Sequence, residues 1–491
     1  MPIEFSNISL DRHQSIPLSR QLYMQLHYQI LHGNITYKES LPATRALASA
    51  LGVARGVVVT CYEMLKTDGL VSGFGKGGTQ VCYRPPSDSK SFTKQNTPAI
   101  YLSQRGERIA SARVYAATNN EASTKALTPS VPDFSLFPYS KWQRLSKEAM
   151  ETSPAWYQRD GGMLLLKKNL QTYLAQYRGI HLSHLDQLLI TSGSQAALSL
   201  LAQLLTEPGD SALIDEPCWS GAEAAVKQAG LNIIRAPVDE QGTQLSAWKS
   251  EKEKKGGNQK PALAIITPCA QFPTGQPMSM TRRAEFIRYT TEHKTWLIED
   301  DYAAEYSYSQ HPPLSILTES ESTHIIHVGT MSKLLLPSLR LGWMVVPKHL
   351  ISPINNALNT VGIQPPYMIQ QQLGLFMQHG YLSAHLAHTR MIYNDRRRLC
   401  NEYLQEFKQP WFSIMDSISG MNHYLKINTV CIDIDKLRVQ LNKAGLGCEI
   451  YTQKLKGIKE YYLLLGHANL QNSTAKEELD LLIEAYAHSV I

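Results

Sequence analysis

Lys333 stands in the stretch Val328-Gly329-Thr330-Met331-Ser332-Lys333-Leu334-Leu335-Leu336-Pro337-Ser338-Leu339-Arg340-Leu341-Gly342. Small and hydroxyl residues lead into it, and Arg340 follows seven positions later. A lysine that is to bond an aldehyde has to be placed rigidly and partly desolvated, so that its amine is neutral and nucleophilic. Thr330, Ser332 and Arg340 are residue types that satisfy phosphate oxygens, through hydroxyls and a forked guanidinium. If the aldehyde is pyridoxal 5'-phosphate (PLP), Lys333 is the catalytic lysine. A surface lysine near a helix start is the plainer reading of the same residues.

Further stretches supply the other parts such a cofactor needs. Trp296-Leu297-Ile298-Glu299-Asp300-Asp301-Tyr302 ends a buried strand in acids. Side chains alternate along a strand, so Asp300 and Tyr302 project to one side and Glu299 and Asp301 to the other. A carboxylate facing a pyridine nitrogen keeps it protonated, so that the ring acts as an electron sink. A phenol two residues on can bond the ring's 3-hydroxyl oxygen. The plainer reading is a solvated acidic strand end. Asp215-Glu216-Pro217-Cys218-Trp219 follows another strand, and Trp219 there is either a ring that stacks on the cofactor or a core residue. Thr191-Ser192-Gly193-Ser194-Gln195 turns from a strand into a helix. Such a turn points several backbone N–H groups at one place, which suits a phosphate.

The elements that must position these residues follow from the pattern. From about Ser130, short apolar strands alternate with helices, the mark of an α/β domain with a mostly parallel sheet and flanking helices. The expected strands include Leu188 to Ile190, Ala212 to Ile214, Ala262 to Ile266, Trp296 to Ile298, Ile325 to His327 and Met344 to Val346. A helix is expected from Ala196 to Leu205. One long helix is expected from about Gln364 to Leu404, then a small C-terminal α+β lobe. Glu251-Lys252-Glu253-Lys254-Lys255 reads as a solvated charge run.

The N-terminal segment has a different character. Leu22, Leu26 and Ile30 are spaced four apart on one helical face. Pro42 signals a second helix, which stops at Gly52, and Arg55 opens a third. Val58, Cys61, Tyr62 and Leu65 fall at i, i+3, i+4 and i+7, one buried face. A glycine-rich hairpin follows, with Lys76 near its tip. Two helices joined by a tight turn and followed by a basic hairpin make a winged helix-turn-helix, whose second helix enters the DNA major groove. A helical bundle used for protein docking is the plainer reading. Pro85-Pro86-Ser87-Asp88-Ser89-Lys90-Ser91 and the polar run Thr118 to Thr124 mark a tether. The division expected is residues 1–85 for DNA binding, 86–127 as linker and 128–491 as the cofactor domain.

A chain of 491 residues accommodates these domains, and its formal net charge of +6 permits nucleic-acid binding without demanding it. The seven cysteines are scattered without a CxxC pair, which points to reduced thiols in a cytoplasmic protein and to no metal site. No stretch is long and apolar enough to span a bilayer, so no membrane partner is expected.

Leu41-Pro42-Ala43-Thr44-Arg45 through Leu51-Gly52-Val53-Ala54-Arg55, with Tyr62-Glu63 and Asp68-Gly69, resembles the DNA-binding domain of the GntR family. The resemblance implies DNA contacts by Arg45 and Arg55. Two departures stand out: serines usual at Ala43 and Ala54 are gone, and a threonine usual at Val57 is valine. Hydroxyls there donate to phosphates, so some positioning contacts are missing. Pro132-Asp133 with Leu136-Phe137-Pro138, the 191–195 turn, Gln271-Phe272-Pro273-Thr274-Gly275, Glu299 to Tyr302 and Gly329 to Gly342 resemble fold-type I aminotransferases. Nearly the whole chain is similar to the MocR/GabR-type regulators. That implies PLP as cofactor, with Lys333 as its covalent anchor, Asp300 on the pyridine nitrogen, Tyr302 on the ring hydroxyl and Trp219 stacking. Ser194, Gln195, Ser332 and Arg340 would hold the phosphate. It also implies a double-stranded DNA operator and a head-to-tail homodimer.

The effector end departs from the family. Leu464 stands where an arginine commonly clamps the effector's carboxylate, Ala270 replaces a histidine, and Gly221 occupies a site that is arginine in some amino-acid-responsive members. Leucine cannot pair a carboxylate, and burying one unpaired is costly. The signal expected is therefore PLP itself or an amine without a carboxylate, unless another basic residue such as Arg159 or Lys167 supplies the clamp. An active aminotransferase with an accessory domain is the competing reading. A structural protein with a vestigial pocket is a third.

Overall fold

The computed structural model describes residues 8–12, 14–73, 78–84, 102–112, 125–156, 160–245, 260–309, 312–319, 323–407, 409–415, 417–455, 458–471 and 473–491. The chain divides into two compact units, Met1–Tyr101 and Leu102–Ile491.

In the first unit, α1 (Leu18–Leu31), α2 (Thr44–Leu51) and α3 (Arg55–Thr67) enclose a core of Leu22, Leu26, Ile30, Val58, Cys61, Tyr62 and Leu65. These are the positions that four-residue and heptad spacing assigned to the buried faces. Gly52 (φ 63°) ends α2 in a left-handed conformation that lets the chain turn directly into α3. The strands β1 (Ser40–Leu41), β2 (Val71–Gly73) and β3 (Thr79–Val81) form an antiparallel sheet in the order β1-β3-β2. This is the wing. Lys76 lies outside the described residues.

The second unit is built on a sheet of eight strands in the order β4-β11-β10-β9-β8-β5-β6-β7. They are β4 (Leu188–Thr191), β5 (Ser211–Glu216), β6 (Asn232–Asp239), β7 (Gly242–Thr243), β8 (Leu263–Ile266), β9 (Trp296–Asp301), β10 (Ile325–Thr330) and β11 (Gly342–Val345). Pairing is parallel from β10 through β9, β8 and β5 to β6, whereas β11 and β7 run antiparallel to their neighbours. Strands β5 and β8 to β11 are almost wholly buried, which is why they read as continuous apolar runs. Helix α4 (Ser194–Leu205) and helix α5 (Ser220–Ala229) contribute to the core on one side of this sheet. A smaller antiparallel sheet, β12 (Phe412–Met415), β13 (Asn422–Ile427), β15 (Ile458–Gly466) and β14 (Glu449–Leu455), forms the C-terminal lobe with its own leucine-rich core.

Two expectations are corrected. The long helix from about Gln364 is two helices, Tyr367–Gln378 and Tyr381–Glu406. Gly380 (φ 70°) takes a left-handed conformation between them, which an α-helix cannot continue through. The stretch 86–127 is not tether throughout. Gln104–Ser111 is a helix whose first turn is capped by Ser103 Oγ, accepting from the Gly106 N–H at 3.1 Å. Ala126 and Leu127 already belong to the C-terminal lobe, where their carbonyls accept from the N–H groups of Gly447 and Gly466. The 251–255 charge run lies outside the described residues.

Candidate functional site

Parallel strands place their carboxyl ends on one edge of a sheet, and ligands bind in the crevice there. Asp300 is near the end of β9, Thr330 at the end of β10, Thr191 at the end of β4 and Glu216 at the end of β5. Lys333 follows β10 by three residues. Its Nζ donates to the Ser130 carbonyl at 2.8 Å. Ser130 is itself fixed by Asn422, whose side chain accepts from the Ser130 N–H at 2.6 Å and donates to Ser130 Oγ at 2.8 Å. Burial pushes the Lys333 amine down to about 8, against the opposing pull of the Glu449 and Asp300 carboxylates. The lysine thus has the rigid, desolvated setting its chemistry needs.

The acids after Trp296 are buried, so the solvated-strand-end reading does not hold. Their sidedness is as alternation requires. Glu299 accepts from the Ile316 N–H at 3.0 Å and lies 3.1 Å from His327 Nδ1, with Ser315 Oγ also bonded to it. Asp301 is paired with Arg178, which also holds Glu305. Asp300 faces the other way, and its Oδ1 has no hydrogen-bond partner among the described residues. Burial, reinforced by the Asp301 and Asp215 carboxylates and eased by His327 and Lys333, pushes the Asp300 carboxyl up to about 7. A buried carboxylate in that position is stabilised by a positive group brought opposite it.

The phosphate end is built from turns. Gly193 (φ 87°) caps α4, and Ser194 and Gln195 form its first turn, where backbone N–H groups have no intrahelical acceptor. A Cβ at Gly342 would lie 2.9 Å from Gly193 Cα, so β11 needs glycine to let this turn seat against it. Thr330 Oγ1 accepts from the Ser332 N–H at 3.1 Å, and the two hydroxyls lie 3.1 Å apart. Gln195 Nε2 donates to the Gly221 carbonyl and to Ser199 Oγ, both at 3.2 Å. Arg340 is exposed, takes a left-handed conformation (φ 48°) and has no ion-pair partner among the described residues. Trp219 caps α5 and packs, half-buried, with Tyr302 against the cluster of Phe272, Tyr424, Tyr462 and Leu464.

The effector end is apolar at the position of the expected clamp. Leu464 is fully buried in that aromatic cluster, and Ala270 is buried too. A Cβ at Gly221 would meet the Trp219 ring and Gln195 Oε1 at 2.3 Å, so a side chain there requires Trp219 to move. Lys167 is spent on the Asp160 carbonyl at 2.9 Å and on Asp186 at 3.6 Å. Arg159 lies outside the described residues. Sequence reasoning missed Asn422, which fixes the Ser130 that Lys333 bonds, and Glu449, whose charge acts on Lys333; the folding of the C-terminal lobe brings both to the site.

In the N-terminal unit, Arg45 and Arg55 are exposed at the starts of α2 and α3. Arg55 Nε lies 3.4 Å from Thr44 Oγ1. Ala43 and Ala54 are the N-cap residues of these helices and make no side-chain cap.

Comparison with known proteins agrees with both halves. Residues 138–445 match the model of "Aminotransferase class I and II", and residues 18–81 match that of "Bacterial regulatory proteins, gntR family". The chain is 30% identical to the probable rhizopine catabolism regulatory protein MocR of Rhizobium meliloti, over 97% of this chain and 95% of that protein. It is 24% identical, over 81% of each, to the pyridoxine biosynthesis transcriptional regulator PdxR of Corynebacterium glutamicum. A kynurenine aminotransferase of Pyrococcus horikoshii shares the fold, with a TM-score of 0.66, 23% identity and coverage of 82% of this chain and 98% of that one. The gntR match implies DNA binding, and the aminotransferase match implies PLP as cofactor. The residues present fit that cofactor: a desolvated lysine, a buried carboxylate oxygen without a partner and a glycine-lined helix start. The chain belongs to the MocR-type transcriptional regulators, which join a gntR-type DNA-binding domain to an aminotransferase class I and II domain.

Proposed function

We propose that the chain adjusts its grip on an operator according to whether its large unit holds PLP, or PLP together with an amine or amino acid. DNA is bound through residues 1–85, with Arg45 and Arg55 on the duplex and Lys76 on the wing. Residues 128–491 carry the cofactor, and the protein acts as a head-to-tail homodimer in the cytoplasm. The observation that carries this reading is the pairing of a lysine amine lowered to about 8 by burial with an unpartnered, buried Asp300 oxygen. PLP supplies an aldehyde for covalent attachment and a ring that withdraws electrons.

Every other contribution comes from the chain. Lys333 offers an amine whose neutral, nucleophilic fraction is raised by burial. Asp300 offers the anion for the ring nitrogen, Tyr302 a donor for the ring hydroxyl and Trp219 a flat face. Ser194, Gln195, Thr330, Ser332 and Arg340 offer donors to the phosphate. Leu464 withholds the cation that an amino-acid substrate's carboxylate needs, which favours sensing over transamination.

The test is Lys333→Ala. The wild-type protein mixed with PLP should develop a visible absorbance band and a borohydride-reducible adduct, and the variant should lose both while keeping its circular dichroism spectrum. A variant that retained the reducible adduct would rule out Lys333 as the anchor.

A further inference from the structure

The small antiparallel sheet sets an acid beside Leu464, the position at which an arginine would clamp a carboxylate. Strand pairing puts Tyr424 of β13 opposite Leu464 of β15, and Leu464 opposite Glu449 of β14. Directly paired residues project to one face of a sheet, so these three side chains form a row. Tyr424 stacks on Tyr462 with ring centres 4.6 Å apart, and Trp219 and Tyr302 pack against the same cluster. The row therefore meets the residues assigned above to the cofactor ring. Glu449 lies near enough to Lys333 that each charge alters the other's proton affinity. Tyr424 is 2% exposed, and its hydroxyl has no hydrogen-bond partner among the described residues. Cations nearby are already engaged: Lys426 is 2.6 Å from Glu460, and Arg235 is shared by Glu216 and Glu223.

A carboxylate brought to this face would meet Glu449, and the row of Tyr424, Leu464 and Glu449 offers it no cation. Burying it so is costly. A cation would instead meet a carboxylate, the faces of several aromatic rings and a phenol oxygen with room to accept.

We propose that the effector is an amine carrying a second cationic group, and that Glu449 and Tyr424 hold this second group beside Leu464. The inference rests on the PLP reading above and narrows its effector to one chemical class.

The test uses the full-length protein loaded with PLP, titrated calorimetrically with 1,4-diaminobutane, 1-aminobutane and 4-aminobutanoate. These share a four-carbon amine and differ only in a cationic, neutral or anionic far end. The diamine should bind about tenfold more tightly than 1-aminobutane, the ratio of roughly one charge-assisted hydrogen bond. The amino acid should bind most weakly. Glu449→Gln should bring the diamine and 1-aminobutane to within about twofold of each other while keeping the visible band. If that variant does not fold, the order of the three ligands on the wild-type protein decides alone. Binding of 4-aminobutanoate as tight as that of the diamine, or no preference between diamine and monoamine, would overturn the inference. Failure of the wild-type protein to develop the visible band with PLP would overturn the underlying reading instead, so the two failures are distinguishable.

Discussion

Capture of PLP should follow the unusual proton affinity of Lys333. Burial lowers this amine from the ordinary 10.5 to about 8, with the Glu449 and Asp300 carboxylates opposing the shift. At pH 7 an amine of pKa about 8 is roughly one-tenth neutral, whereas an ordinary lysine is neutral at roughly 3 parts in 10,000. The buried setting thus multiplies the nucleophilic fraction by roughly 300 at neutral pH. The assay is stopped-flow growth of the visible band after cofactor-free protein is mixed with PLP, repeated across pH. The rate should climb about tenfold per pH unit below pH 7 and level off above about 8. Glu449→Gln removes the carboxylate that opposes burial most, so its plateau should begin at lower pH. A rate that kept climbing to pH 10, as for an exposed lysine, would refute the argument from burial.

Other consequences are open to direct measurement. Arg45→Ala and Arg55→Ala should each weaken operator binding, by about 1–3 kcal/mol where a bidentate base contact is lost, and Lys76→Ala should chiefly flatten the salt dependence. Unchanged affinity in both arginine variants, read by fluorescence anisotropy, would displace the duplex from α2 and α3. Although burial acts to raise it, the Glu299 carboxyl is held at about 2 by its bonds to His327, Ser315 and the Ile316 N–H. A depressed carboxyl stabilises the fold above its unfolded value of 4.5, and the contribution is lost as pH falls from there through about 2. Glu299→Gln should therefore cost roughly 3 kcal/mol near neutrality, and its gap from the wild type in denaturant titrations should close toward pH 2. A gap independent of pH would show that the bonds, rather than the charge, carry the effect.

Much of the site was legible because it is local. Lys333, Thr330, Ser332 and Arg340 share one stretch, and the alternation from Glu299 to Tyr302 already separates Asp300 from its neighbours. Helix faces in the N-terminal unit were equally plain, since Leu22, Leu26, Ile30 and the Val58 series repeat with the helical period. The break at Gly380 was not, because helices run almost up to it from both sides, Tyr367–Gln378 and Tyr381–Glu406, and only the glycine marks it. Leu463-Leu464-Leu465 hides its own alternation: Leu463 and Leu465 enter the core of the C-terminal lobe, while Leu464 faces the aromatic cluster. Glu449 carries no local signal at all. Its position beside Leu464 is a property of strand register, and register between β14 and β15 is fixed by the pairing of the whole hairpin. Asn422 likewise reaches Ser130 across 292 residues of sequence.

The central claim is that occupancy of the Lys333 site changes DNA affinity. It is tested most directly by measuring operator binding, at one fixed salt concentration, for cofactor-free protein, PLP-loaded protein and Lys333→Ala with and without PLP. Coupling requires PLP to bind two conformations unequally. The account predicts that the wild-type affinity differs by about fivefold or more between the cofactor-free and loaded states, alone or with a diamine, and that the variant shows no difference. Equal affinity of the wild-type protein in every one of these states would contradict it.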